Sequence, residues 1–199
     1  FKKPDQKIGP QKVALRYTSE SSPYRNDMIM VMRFSHDIGE TGVLMMSVGI
    51  YLAESIGKIS LQSKDIHTQP LLNYNLLSQK YDLERLREGV RLADQIMQSP
   101  SFEGMVASRI APRENVINND ELLDQWMLEN VQTMHHISGT CKMGPRSDKE
   151  AVVNQYGSVY GINGLRIADT SIMPDCPRAN TNLAAMLIGE RVSEFIKIA

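Results

Sequence analysis

Apolar and polar side chains follow two different periods along this chain. In the first third the period is short. "KVALRYT" (12–18) alternates through Val13, Leu15 and Tyr17, and "GKISLQS" (57–63) alternates through Ile59 and Leu61. Between them, "MIMVMRF" (28–34) and "VLMMSVGIYL" (43–52) are continuous apolar runs, bounded by Asn26-Asp27 and by Gly39 to Gly42. Runs of this length between turn residues predict strands. Strands so close in sequence predict an antiparallel sheet with at least one covered face.

The period then lengthens. After Tyr81, residues Leu83, Leu86, Val90, Ala93 and Met97 recur at helical spacing, with Asp82 as N-cap and Pro100 beyond the end. A second helix near 120–131 sets Leu122, Leu123, Trp126 and Met127 on one face behind an Asn/Asp cap. Both helices are expected to pack on the sheet. From residue 132 glycine recurs at 139, 144, 157, 161 and 164, with short strand-like pieces "SVYG" and "GLRIAD" between turns. A last helix is expected from near Thr181 to about Ile196, burying Leu183, Met186, Leu187, Val192, Phe195 and Ile196. The class these elements predict is α+β.

Composition narrows the function classes. At 42% hydrophobic and 23% charged residues over 199 positions the chain is ordinary globular material. A formal charge of −1 gives no basic footprint for nucleic acid or an anionic membrane. The longest apolar stretch, 43–53, is far too short to span a bilayer, and no signal-peptide pattern opens the chain. Two cysteines, Cys141 and Cys176, make no disulfide framework and read as reduced thiols, which points to a cytoplasmic setting. The chain opens on Phe1-Lys2-Lys3-Pro4 without an initiating methionine, as a cut end or partial chain would.

The candidate chemistry lies in "HHISGTCKMGP" (135–145). Three readings compete. Side chains of the adjacent His135 and His136 diverge, and the spacing to Cys141, Asp175 and Cys176 favours no four-ligand site, so no metal is assigned. A Cys141 nucleophile needs an imidazole near it in space, which adjacency in sequence does not supply. A lone histidine base remains, since an imidazole can take a proton near neutral pH and hold it as a cation. His36 and His67 read as surface or turn residues.

Three blocks in order decide among these: "HHISGTCKMG", "VVNQYGSVYGINGLRIADTSIMP" and "RANTNLAAMLIGERVSEFI". Together they resemble the C-terminal portion of the glucose–methanol–choline (GMC) family of FAD-dependent oxidoreductases, choline dehydrogenase-like members included. The segments "LRYTSESSPYRNDMIM" and "GKISLQSKDIHTQPLLNYNLLSQKYDLERLREGVRLADQI" resemble that family's substrate domain more loosely. The resemblance implies residues 1–133 as part of the substrate-binding domain, an antiparallel sheet with packed helices. It implies 134–199 as the catalytic-histidine segment and the C-terminal piece of an FAD-binding α/β domain. The G-x-G-x-x-G pyrophosphate turn does not occur in the sequence.

What the resemblance implies chemically is oxidation of the CH–OH group of a small-molecule alcohol by hydride transfer to flavin N5. His136 matches the family's catalytic histidine and is the expected base. The family's partner to that histidine, four residues before the block that reads "MLIGE" (186–190) here, is expected at Asn182. Asn182, Leu183 and Ala184 at the last helix's N-terminus are expected to face FAD, with Ala168 and Asp169 beside its diphosphate and ribityl chain and His135 as a neighbour. Cys141 belongs to the motif as a packed thiol. Holding half a cofactor cleft, the chain is expected to bind flavin weakly by itself. The alternative is a non-catalytic folded fragment or subunit that needs a partner chain or N-terminal segment to bind FAD.

Overall fold

A computed structural model describes residues 13–20, 22–35, 43–103 and 106–198. They fall into two compact units, one within Phe1–Ser55 and Leu76–Val131, the other within Ile56–Asn75 and Gln132–Ala199. Both helices and antiparallel strands are present, so the class is α+β.

In the first unit β1 (Val13–Tyr17), β2 (Met28–Ser35) and β3 (Val43–Ile50) form an antiparallel sheet in the order β1-β2-β3. Leu15 lies opposite Met30, and Met30 opposite Val48. The edge strand is wetter than its alternation predicts: Val13 and Leu15 are exposed, whereas Met28, Ile29 and Met30 of the central strand are all buried.

The long helix α1 (Lys80–Met97) covers the sheet, with the shorter α2 (Glu114–Ile117) and α3 (Asp120–Asn130) beyond it. Leu77, Leu86, Leu123 and Met127 make the core, flanked by Val48, Ile50, Val90 and Trp126. Gly89 sets the closeness of α1 to the sheet. A Cβ there would meet Val48 Cγ1 at 2.6 Å and Tyr17 Oη at 2.7 Å, so any larger residue would force the layers apart.

Asp82 is not the N-cap of α1. Gln79 holds that place, and Asp82 sits buried in the first turn. Its carboxylate is needed elsewhere. It accepts the amides of Glu54 (3.1 Å) and Ser55 (2.7 Å) and the guanidinium of Arg85 (2.7 Å). Arg85 also donates to Asp27 (3.0 Å) and to the carbonyls of Tyr51 and Leu52, both at 3.1 Å. A second polar seam joins α1 to α3 through Arg87, which grips Asp124 with two bonds of 2.8 and 2.6 Å. Asn119 caps α3 by accepting from Leu122 N, yet the Leu122 side chain is 43% exposed while Leu123 and Met127 go inward.

In the second unit β4 (Lys58–Ser60) pairs with β5 (Leu71–Asn73), a strand that sequence periodicity does not reveal. The pieces at 158–166 form only isolated bridges, Val153 to Val159 and Ser158 to Arg166. Val153, Ile172 and Val192 are the buried apolar centre. The helix α4 (Asn182–Lys197) turns Val192 toward Gly157 and sets Phe195 edge-on to Tyr156, with ring centroids 5.1 Å apart.

The expected buried stripe of α4 is not one stripe. Leu183, Met186, Leu187 and Ile196 are exposed, and of the six only Val192 is fully buried. Helical geometry supplies the reason. At roughly 100° per residue, Leu183, Met186 and Leu187 lie about 180°, 120° and 140° around the helix from Val192; Ile196 shares its side but stands in the exposed last turn. No helix among the described residues is long and apolar enough to cross a membrane.

Candidate active site

The histidine segment is laced to the turn Thr170–Ile172. Gly139 N donates to Thr170 O (3.2 Å), Cys141 N to Ser171 O (2.9 Å) and Met143 N to Ile172 O (2.9 Å). Thr170 Oγ1 returns a bond to Ile137 O at 3.2 Å. Asp169 anchors that turn, because its side chain caps it by accepting from Ser171 N at 2.8 Å. Farther along, Lys142 pairs with Asp148 at 2.9 Å. Their hydrogen bond holds the ammonium above and the carboxyl below their ordinary values.

Between these anchors the two histidines part. His135 has a φ of +63°, a left-handed conformation uncommon outside glycine. Its amide donates to Thr133 Oγ1 at 3.1 Å, and its side chain is exposed. His136 is half-buried, and both of its ring nitrogens are engaged. Nε2 lies 2.9 Å from Asn180 Nδ2, and Nδ1 lies 3.1 Å from Thr181 Oγ1. Thr181 is 7% exposed and stands at the entrance to α4.

The side chains brought onto His136 are therefore Asn180 and Thr181. Asn182 is the first residue of α4 and is exposed, as is Leu183, while Ala184 is half-buried. Ala168 and Asp169 are exposed on the turn that precedes the Thr170–Ile172 segment. Cys141 and Cys176 are free, half-buried thiols, and Cys176 Sγ contacts Pro177 O at 3.8 Å. Among the described residues no group of three or more His, Cys, Asp or Glu side chains could hold a metal ion. His67 is exposed, its amide bonded to Asp65 at 3.0 Å; His36 lies outside the described residues. A cavity of about 550 Å³ lies at the C-terminal end of α1, lined by Met97, Gln98, Phe102 and Val106 among others; it belongs to the first unit and contains no histidine.

Asn180 stands in the sequence block "RANTNL", two positions before Asn182. The turn leading into a helix has no fixed period, so sequence alone does not say which asparagine meets the ring.

A sequence model of GMC oxidoreductases matches residues 53–189, more than half of the chain, including His136, Asn180 and Thr181. The chain belongs to the GMC oxidoreductase family. Among curated proteins, the oxygen-dependent choline dehydrogenase of Rhizobium etli (strain CIAT 652) is 36% identical over 149 residues, which are 75% of this chain and 27% of that enzyme. This GMC chain thus spans about a quarter of the length of the curated relatives it matches. Solved structures show the same fold. Pyridoxine 4-oxidase from Mesorbium loti superposes with a TM-score of 0.78 at 18% identity, over 94% of this chain and 38% of that one. A variant of Aspergillus oryzae RIB40 formate oxidase, described for its effect on FAD modification, gives 0.75 at 24% identity over 88% and 32%.

Proposed function

We propose that this GMC chain carries the base, and the residues that hold it, for FAD-dependent oxidation of an alcohol CH–OH group. The observation that carries the reading is the bracketing of His136, with Nε2 against the Asn180 amide and Nδ1 against the Thr181 hydroxyl. A neutral imidazole so held accepts the hydroxyl proton of an alcohol at Nε2, then stands as a cation beside the oxygen that lost it. Asn180 does not titrate. Once an alcohol displaces it from the ring, its amide donates to the same oxygen and keeps the alcohol oriented.

An alcohol that has lost its hydroxyl proton is a far better hydride donor, and FAD, when bound, supplies the hydride acceptor. The residues present fit such a group. No side chain caps α4, so the amides of Asn182, Leu183 and Ala184 in its first turn are available to an acceptor. With the positive end of the helix dipole behind them, they suit an electron-rich carbonyl edge such as that of a flavin. Asn182, Leu183 and Ala184 would hold that edge, and Ala168 and Asp169 would meet the rest of the cofactor, with His135 as a neighbour. We assign residues 1–133 to the substrate domain and 134–199 to the FAD domain, with the Ile56–Asn75 segment of the former packed in the same compact unit as residues 132–199. The names of the curated relatives make a choline-like alcohol the first substrate to try. Two free thiols suit a reducing, cytoplasmic setting.

In the FAD-loaded enzyme, His136→Ala should slow anaerobic flavin reduction by roughly 10²- to 10⁴-fold, the scale on which loss of a general base acts. Reduction at an unchanged rate in a stopped-flow experiment refutes the assignment.

A further inference from the structure

We propose that Thr181 is a positioning residue for His136, fixing the ring proton on Nδ1 and leaving the Nε2 lone pair free for substrate. The importance of that lone pair rests on the base assignment above; the contact itself does not.

A threonine at the N-terminus of a helix ordinarily turns its hydroxyl back to accept one of the first free amides of that helix. Thr181 holds the N-cap position of α4 but makes no such bond. Its backbone, at φ −80° and ψ −7°, is already helical, whereas a capping residue is usually extended. The hydroxyl is directed instead onto His136 Nδ1 at 3.1 Å, in a place where the residue is only 7% exposed. Little water competes there, and the helix forgoes a stabilising contact that its sequence offers.

The two contacts on the ring agree on one proton arrangement. The Asn180 amide nitrogen can only donate, so Nε2 must accept and carries no hydrogen. The proton of the neutral ring is then on Nδ1, which donates to Thr181 Oγ1. Which ring nitrogen is protonated is set by the bond the other one makes: the Asn180 bond selects this tautomer, and the Thr181 hydroxyl accepts the proton that is then on Nδ1. The arrangement also survives protonation, since Nδ1–H still donates to Thr181 when Nε2 takes up the substrate proton. A hydroxyl thus does the orienting that a carboxylate does in many other histidine sites, without adding a charge.

The test uses the chain with ¹⁵N-labelled histidine, and long-range ¹H–¹⁵N correlation spectra of the neutral ring, assigned with His136→Gln. The expected wild-type spectrum has a proton-bearing Nδ1 and a bare Nε2. Thr181→Val, which keeps the shape and removes only the hydroxyl, leaves Nδ1–H without an acceptor and should move the proton toward Nε2, with the Asn180 amide turned so that its oxygen accepts it. Thr181→Ser should restore the wild-type pattern. A wild-type ring protonated on Nε2 overturns the proposal without recourse to any variant, and so does a Thr181→Val spectrum identical to wild type. In the FAD-loaded enzyme Thr181→Val should lower kcat by roughly 10- to 100-fold, by analogy with the outer partners that orient metal-bound histidines. KM should barely move, and Thr181→Ser should recover the rate. A tautomer that shifts as described, in an enzyme whose His136→Ala variant still reduces flavin normally, supports the contact and removes the base assignment instead.

Discussion

Replacing Arg85 with methionine should weaken the first unit far more than the same change at Arg87 on the same helix. The Arg85 side chain is 0% exposed, and its two carboxylate partners, Asp27 and Asp82, are 0% and 1% exposed. Four hydrogen bonds of 2.7–3.1 Å leave its guanidinium. Two of them close the chain reversal after β3, where Leu52 adopts a φ of +53°. The guanidinium also stacks on the Tyr81 ring, 4.2 Å from its centroid. Methionine fills much of the volume but strands both carboxylates.

Removing one partner of a buried ion pair costs roughly 3–5 kcal/mol. Against a total stability of about 5–15 kcal/mol for a natural domain, that is roughly a fifth or more. With a urea slope near 2 kcal/mol/M, the midpoint should fall by about 2 M. Arg87 is partly solvated, at 18% exposure against 22% for Asp124, and Arg87→Met should cost about 1 kcal/mol. Trp126 is the one tryptophan of the chain and lies in the first unit beside its core, so its fluorescence reports the right transition. Equal midpoint shifts in the two variants would refute the reasoning.

Acid gives a second check. Burial alone would raise the Asp27 carboxyl, but the Ser19 amide and Arg85 outweigh it and hold it below the usual range. Burial also opposes Asp82, where the hydroxyl and amide of Ser55, the Glu54 amide and Arg85 prevail in the same direction. Carboxyls depressed in the folded state stabilise it fully above their unfolded value of about 3.9, and the contribution drains as pH falls through the lower folded value. In Arg85→Met the stranded carboxylates are relieved by protonation. The stability gap between wild type and variant should therefore narrow below about pH 4.

Two further outcomes are expected of the same urea measurement and of far-UV circular dichroism. The Tyr17 hydroxyl is buried without a hydrogen-bond partner among the described residues, and burial, with Glu88 and Asp27 nearby, pushes its phenol well above the ordinary value. Tyr17→Phe should raise stability by about 1 kcal/mol, the cost of an unsatisfied buried donor, and a loss instead would mean the hydroxyl is bonded. In α4, Val192→Ala should destabilise the second unit by roughly 1–3 kcal/mol, while Leu187→Ala should stay within about 0.5 kcal/mol. Comparable losses at the two positions would contradict the exposure of Leu187.

Local periodicity carried much of this fold. The alternation and apolar runs of 12–52 became β1, β2 and β3, and the spacing of Leu83, Leu86, Val90 and Ala93 became α1. The failures share a cause, which is that polar side chains and short segments answer to distant partners. Asp82 looks like a cap in sequence, but its carboxylate satisfies Glu54, Ser55 and Arg85. The strand β5 has three residues, all exposed, and exists only through pairing with β4. Counting apolar residues along α4 merged two opposite sides into one. At the site, the block "HHISGTCKMG" directed attention to His136, whose two ring nitrogens are both engaged. Asn180 and Thr181 were not singled out, since their roles depend on how the turn before α4 is wound.

That winding gives the start of α4 two tasks at once. Asn180 and Thr181 are consecutive, and they reach opposite nitrogens of one ring. Immediately after them the first turn of α4 presents its uncapped amides. A side chain that capped the helix would draw Thr181 away from Nδ1 and close the amides to any acceptor. The missing cap is therefore a single structural fact with two consequences, a histidine held at Nδ1 and an open helix end. Both depend on the phase in which the chain enters the helix. One residue inserted between Thr181 and Asn182 would turn α4 by roughly 100° relative to the ring contacts and break their coincidence. The neighbouring Thr170–Ile172 turn guards that phase, because it holds the histidine segment through bonds at Gly139, Cys141 and Met143 while contacting α4 itself.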